Sequence, residues 1–320
     1  MRLGQNPAKF VKDVAKPARV TVAVLNYIPF ISGFYAEMPE VLKACLNSIR
    51  NSTTDIDYDL MVFDNGSCDE IKAYLLNEQK SGKIQYLIFS EKNLGKGGAW
   101  NIILNGAPGE IIAYTDNDCL FSPGWLSGSL KILETYPHVG MVTARPFRTN
   151  PDYYSSTLEW ANNQAGVHHK NGQLVPYEIF REFDLSLGQP EEEIRAHYDS
   201  SEDHLLTYHE VQAMVGASHW QFTAYRSVLS EFLPFQMDRP MGQVKQLDMR
   251  MNEKGYLRLM TAQPFAMNMS NTTENVASTA AQAIPEKTVE HRFIDLPPVK
   301  KILLGVYNKI FHWYYDQRSK

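Results

Sequence analysis

Hydrophobic and polar positions follow two rhythms over the first half of the chain. Five short β-branched or apolar runs read as strands, 20–25 (VTVAVL), 58–63 (YDLMVF), 84–89 (IQYLIF), 111–114 (IIAY) and 139–144 (VGMVTA), and the first is apolar on both faces. A strand covered on both sides in a parallel sheet reads as 20–25 does. Between them, apolar residues recur at helical spacing. Val41, Leu42, Cys45, Leu46 and Ile49 predict a helix over 38–51, and further helices are predicted over 68–79, 98–104 and 125–136. Strand alternating with helix from 20 to 144 predicts a doubly wound α/β domain with a mainly parallel sheet and helices on both faces. The rhythm weakens afterwards. Residues 150–210 are polar, Pro-rich and aromatic with an acidic cluster at Glu191, Glu192 and Glu193, while 211–270 recover strand-like and helical spacing. Residues 271–297 show no apolar period and read as a mobile loop or linker. Over 298–320, Val299, Ile302, Leu303, Val306, Ile310, Trp313 and Tyr314 share one helical face flanked by Lys300, Lys301 and Lys309.

Composition narrows the class. The 320 residues are 44% hydrophobic and 21% charged, which is ordinary for a folded domain. A net charge of −5 argues against nucleic acid as the main partner, because phosphate binding needs clustered Lys and Arg. Three scattered cysteines build neither a disulfide framework nor a zinc site, so a reducing compartment is expected. The first twenty residues have no apolar signal-peptide core, and no apolar run approaches the ~18 residues of a spanning helix. A soluble, cytoplasmic protein is the expectation. The 298–320 helix offers either a peripheral contact with the cytoplasmic membrane face or packing on its own domain or a second subunit.

In an open parallel sheet, ligands bind beyond the carboxyl ends of the strands. Those ends carry Asn26 and Tyr27, then Asp64 and Asn65, then the glycine-rich stretch 93–101 with Lys96 and Asn101, then Asp116-Asn117-Asp118. Two acids one residue apart after a buried strand have no packing role there. A divalent cation that bridges them relieves their repulsion, and hard oxygen ligands suit Mn²⁺ or Mg²⁺; an acidic turn capping the next helix is the plainer alternative. Asp64 reads either as an acceptor for a base or ribose or as a turn residue. The glycines allow a backbone to approach a phosphate, with Lys96 supplying charge, although the spacing is not that of a P-loop.

These segments together, VTVAVLNYIP, LKACLNSIRNST, YDLMVFDNGSCDE, SEKNLGKGGAWNIIL and IIAYTDNDCLFSPGWL, resemble glycosyltransferase family 2 on a GT-A fold, closely over 20–147 and loosely to 270. The resemblance implies sugar transfer from a nucleotide-diphosphate donor to a glycan or lipid-linked hydroxyl, as in polysaccharide biosynthesis, with inversion expected. It makes 1–147 the nucleotide-sugar-binding half and 148–270 the acceptor-side half of one catalytic domain. Asp116-Asn117-Asp118 matches the family's DXD motif, Asp64 the nucleobase reader, Tyr27 the residue lining the base, and Lys96 with Asn101 the loop beside ribose and phosphate; Asp116 also faces the donor. The departures are specific. The family's Gly-Glu-Asp-x-Asp becomes Gly242 followed by Gln243, Val244 and Gln246, which leaves Asp248 and Asp238 as candidate bases. Asn268 stands where relatives carry a metal-binding His. His219 and Trp220 begin the acceptor-side loop, where an exposed Trp would stack on a sugar or, alternatively, an aromatic pair would be buried. His168 and His169 lack metal spacing and read as surface residues. Two other readings stay open, a non-catalytic sugar-nucleotide or glycan-binding relative and a nucleotidyltransferase.

Overall fold

The computed structural model describes residues 4–237 and 243–273. The expected strands and helices of the first half are present: β1 (Val20–Asn26), α1 (Met38–Ser52), β2 (Tyr58–Asp64), α2 (Asp69–Lys80), β3 (Tyr86–Phe89), α3 (Gly95–Gly106) and β4 (Ile111–Asp116). There follow β5 (Cys119–Phe121), α4 (Trp125–Thr135) and β6 (Val139–Thr143). Alternate residues of β1 explain the layering. Val20, Val22 and Val24 face one core with Val41, Leu42, Leu46 and Ile49 of α1 and Leu75 of α2. Ala23 and Leu25 face the other with Ala99, Trp100, Ile103 and Leu104 of α3. A sheet wrapped on both faces needs strands apolar on both faces, and that is the pattern in 20–25.

The second half contributes α5 (Ser155–Asn163), β7 (His168–Gly172), α6 (Tyr177–Ser186), α7 (Glu191–Ser200), β8 (Asp203–Tyr208), β9 (Val211–Val215), β10 (Gln221–Tyr225), α8 (Arg226–Ser230), α9 (Gln243–Glu253), β11 (Leu257–Met260) and β12 (Ala266–Asn268). Among the described residues ten strands form one sheet in the order β3-β2-β1-β4-β10-β6-β11-β9-β8-β7, and β12 pairs with β5 apart from it. The pairs β3-β2, β2-β1, β1-β4 and β6-β11 are parallel, whereas β10 runs antiparallel to both its neighbours. The boundary expected near 147 is therefore no break in the sheet, because β10 and β11 of the second half sit on either side of β6. The irregular reading of 150–210 gives way to two strands and three helices. His168 and His169 are exposed on β7, an edge strand that needs no apolar face. Glu191, Glu192 and Glu193 form the first turn of α7, where carboxylates suit the helix dipole.

The loop expected from 271 is described only as far as 273, and the 298–320 helix lies outside the described residues. Among the described residues no helix is long and apolar enough to cross a membrane.

The registers align the site. Asn26 lies opposite Asp64 across the β1-β2 pair, and Leu25 lies opposite Asp116 across β1-β4. At the amino ends of the same strands the chain enters β4 tightly: a Cβ on Gly109 would come within 2.7 Å of the Thr21 nitrogen and 2.9 Å of the Arg19 carbonyl oxygen. Both are backbone atoms in a packed layer and have little room to shift. Gly109→Ala is expected to lower the unfolding free energy by about 1–3 kcal/mol, the usual cost of overpacking. A chemical-denaturation midpoint equal to that of the wild type contradicts this.

Candidate functional site

A buried polar cluster ties three strand ends together. Asn26, fully buried, donates from Nδ2 to Asp64 Oδ1 (2.7 Å) and to Ser67 Oγ (3.0 Å). Its Oδ1 accepts from Asn117 Nδ2 at 2.7 Å. Ser67 N–H donates to Asp64 Oδ2 at 3.0 Å, and Ile28 N–H donates to Ser67 Oγ at 2.9 Å. Gly66 makes the turn between Asp64 and Ser67 with φ +91°, where a Cβ would meet the Asn93 nitrogen and Lys92 carbonyl carbon at 3.2 Å. Asn65 reaches the other way, donating to Asn93 Oδ1 (3.0 Å) and accepting from Leu94 N–H (2.9 Å). Asp64 is thus a fully buried frame residue whose two oxygens are already engaged. Tyr27 is half-buried beside the cluster, its ring edge-to-face with Tyr35 at 6.1 Å.

The acidic turn is built on this frame. Asp116 ends β4, Asn117 is held by Asn26, and Asp118 leads into β5. Lys96, in the first turn of α3, brings its Nζ to 2.6 Å from Asp116 Oδ2. Tyr114 donates its hydroxyl to Asp116 Oδ1 at 2.5 Å. The same ammonium lies 5.6 Å from the Trp100 ring and 5.8 Å from the Tyr114 ring. Burial, with Asp116 adding to it, pushes the Tyr114 hydroxyl far above its ordinary range. For Asp118, burial first and Asp116 second push the carboxyl up to about 7, partly offset by Lys96. One ammonium therefore faces two carboxylates, a surplus of negative charge that a divalent cation would balance. Both acids are hard oxygen donors and fit Mn²⁺ or Mg²⁺. Asn268 of β12 lies opposite Cys119, next to Asp118, whose carbonyl accepts from Met269 N–H at 2.7 Å. Its Oδ1, however, already accepts from Ser270 N–H at 2.8 Å. Among the described residues no three His, Cys, Asp or Glu side chains converge as a metal cluster, so Asp116 and Asp118 are what these residues offer a cation.

Several expected site residues have other duties. The glycine-rich stretch is helical from Gly95 rather than a loop up to Gly98. A Cβ on Gly98 would come within 2.8 Å of Leu94 Cβ and 2.7 Å of Met237 Cε, so this glycine serves packing. Asn101 clamps the backbone of Phe235, accepting from its N–H at 2.6 Å and donating to its carbonyl at 2.9 Å, and so does not face a ribose. Trp220 is buried rather than exposed, packed against Phe147 and Phe183 at ring distances of 6.2 and 5.6 Å. Asp238 lies outside the described residues. Asp248 of α9 is buried: Oδ1 pairs with Arg258 Nη2 at 2.5 Å, and Oδ2 lies 3.1 Å from His219 Nδ1.

Sequence reading assigns Tyr114 and Arg258 no site role, and Asn117 only its place between the two acids. Arg258 carried a usable signal, since an arginine at a buried position of an apolar strand requires a carboxylate or carbonyl partners.

Residues 30–183 match the family model described as Glycosyl transferase family 2. An uncharacterized glycosyltransferase of Nostoc sp. is 30% identical over 126 residues, covering 39% of this chain and 35% of its own length. The amylovoran biosynthesis glycosyltransferase AmsE of Erwinia amylovora is 28% identical over 109 residues, covering 34% of this chain and 41% of its own length. The matched stretch thus spans well under half of either relative. Among solved structures, the mannosyltransferase PcManGT of Pyrobaculum calidifontis, in complex with GDP-Man and Mn²⁺, aligns at 18% identity with a TM-score of 0.48, over 89% of this chain and 68% of that one.

The charge surplus has a pH signature. The folded Asp118 binds its proton near pH 7 against an ordinary 3.8, so its contribution to stability is complete below about 3.8 and is lost as pH rises through 7. With EDTA present, Asp118→Asn is expected to raise Tm at pH 8 by a few degrees, at roughly 2–4 °C per kcal/mol, and to lose that advantage toward pH 4. A Tm difference that does not change with pH rules out this account of Asp118.

Proposed function

The chain carries a glycosyl transferase family 2 region over residues 30–183, and from that premise we propose that it transfers a sugar from a nucleotide-diphosphate donor to a hydroxyl of a glycan or lipid-linked acceptor, with help from Mn²⁺ or Mg²⁺. The observation that carries the proposal is the meeting of Lys96, Asp116 and Asp118 at the carboxyl end of β4, inside the matched region. In an open α/β sheet this end is where ligands lie.

The nucleoside would rest against the half-buried Tyr27, with the Asn26–Asp64–Ser67 cluster as its rigid floor. The diphosphate would lie over Lys96, whose ammonium exchanges an Asp116 oxygen for a phosphate oxygen. A cation held by Asp116 and Asp118 would supply charge stabilisation to the leaving diphosphate, usually the largest electrostatic contribution in such a transfer. Tyr114 keeps Asp116 oriented by donating to Oδ1 while Oδ2 changes partners. Attack by the acceptor oxygen on the face opposite the diphosphate inverts the anomeric centre, and the acceptor must lose its proton to a base on that side.

The test is a panel of UDP-, GDP- and TDP-hexoses with Mn²⁺, read as release of nucleoside diphosphate with water as the simplest acceptor. Wild-type protein is expected to release nucleotide from at least one donor. Asp116→Ala is expected to abolish release and the Mn²⁺-dependent part of donor binding while leaving the far-UV spectrum intact. Donor affinity that is the same with Mn²⁺ and with EDTA contradicts the metal assignment. Binding without release by the wild type favours a sugar-nucleotide-binding role instead.

A further inference from the structure

We propose that His219, oriented by Asp248, is the general base that takes the acceptor's proton. This rests on the transferase reading above and adds to it the residue that the missing acids of 243–246 leave unassigned.

The geometry begins with the turn that carries His219. Ser218 and Gln221 form an isolated antiparallel bridge, so His219 and Trp220 occupy the tip between them. Their side chains part company. Trp220 packs into the core on Phe147 and Phe183, while His219 turns to Asp248 and stays 30% exposed. The Trp220 carbonyl accepts from the Asp116 N–H at 2.9 Å. His219 is therefore one residue from the backbone carbonyl that holds the first acid of the 116–118 turn, on the edge of the proposed donor site.

Asp248 itself is poorly arranged to meet a substrate. It is 3% exposed, Oδ1 is paired with Arg258 and Oδ2 faces His219 Nδ1. A carboxylate so placed acts through the imidazole. It accepts from Nδ1–H, selects that tautomer and leaves Nε2, on a side chain 30% exposed, with no hydrogen-bond partner among the described residues. Arg258 completes the device. It is fully buried, and the Nη2 that bonds Asp248 also donates to the Ala217 carbonyl at 2.6 Å, while Nη1 donates to the Tyr153 carbonyl at 2.8 Å. One guanidinium thus fixes both the carboxylate on α9 and the backbone leading to His219, which holds the dyad in register before any substrate arrives.

The step balances simply. The acceptor oxygen forms a bond to the anomeric carbon as its proton passes to His219 Nε2. The bond from that carbon to the diphosphate oxygen breaks, and the diphosphate leaves with the electron pair. Asp248 stabilises the imidazolium, which later returns its proton to solvent. His219 touches the reacting hydroxyl and is catalytic; Asp248 and Arg258 are positioning residues.

The experiment uses the full chain and the donor panel with water as acceptor, alongside a separate titration of nucleoside diphosphate affinity. His219→Gln is expected to lower turnover about a hundredfold, the low end of general-base losses, with nucleoside diphosphate affinity unchanged. Turnover of His219→Ala is expected to recover in part when imidazole is added, which a merely structural role would not produce. Wild-type turnover in His219→Gln overturns the dyad and leaves the transferase reading standing. A loss of nucleotide affinity in proportion to turnover, without imidazole rescue, also overturns it by making His219 a binding residue. A wild type that turns over no donor overturns the transferase reading and, with it, the reaction in which the dyad would act.

Discussion

The side-chain amide of Asn26 is the point on which the site depends. Nothing about a strand requires a fully buried asparagine, and an unpaired buried amide costs a few kcal/mol. Here Nδ2 and Oδ1 together reach Asp64, Ser67 and Asn117, so three loops from three strand ends share one residue. The parallel register puts Asn26 opposite Asp64 and brings Asp116 level with Leu25. Fixing Asn117 in turn fixes the two carboxylates on either side of it. Removing the amide would strand several buried polar groups at once, which is why the cluster behaves as a unit.

Two ion pairs then divide the work. Lys96 and Asp116 are partly exposed, at 13% and 25% of their side-chain surface, and in the proposed reaction their pairing would give way to a phosphate and a cation. Arg258 and Asp248 are almost wholly buried and cannot be exchanged without leaving a charge uncompensated. Burial lowers the pKa of Arg258, and Asp248 counters that effect. The first pair suits a site that must open to a ligand. The second suits a frame that must hold still, and β10, between β4 and β6, connects the two.

What was legible in the sequence follows from this division. Strands covered on both faces announce themselves, and so β1, β2 and β4 and the α1 face stood within a residue or two of their true limits. The acids at 116 and 118 were legible for the same reason: they follow a buried strand and have no packing purpose. Short or polar elements were not. β5 is three residues long and pairs with β12, far away in the chain, while β7 is an exposed edge with no apolar alternation. Side-chain duties within a motif were less legible still. Asn101 and Gly98 sit in a phosphate-like pattern, yet their roles are set by Phe235, Leu94 and Met237, which only the fold brings near. Trp220 and His219 are neighbours in sequence and divide between the Phe147–Phe183 core and Asp248 because a two-residue turn splits their directions. The Asp248–His219–Arg258 set draws on three separate elements, and no local spacing signals it.

The central claim is that the donor diphosphate and its cation gather at Lys96, Asp116 and Asp118. The most direct measurement is a crystal structure of the protein with a nucleoside diphosphate and Mn²⁺, recorded with anomalous scattering from the metal. The account predicts one Mn²⁺ peak within about 2.2 Å of carboxylate oxygens of Asp116 and Asp118, the usual range for hard-cation coordination, with phosphate oxygens completing its shell and Lys96 turned onto the diphosphate. A nucleotide bound elsewhere, or a bound diphosphate with Lys96 still on Asp116 and no metal between the two acids, would contradict it.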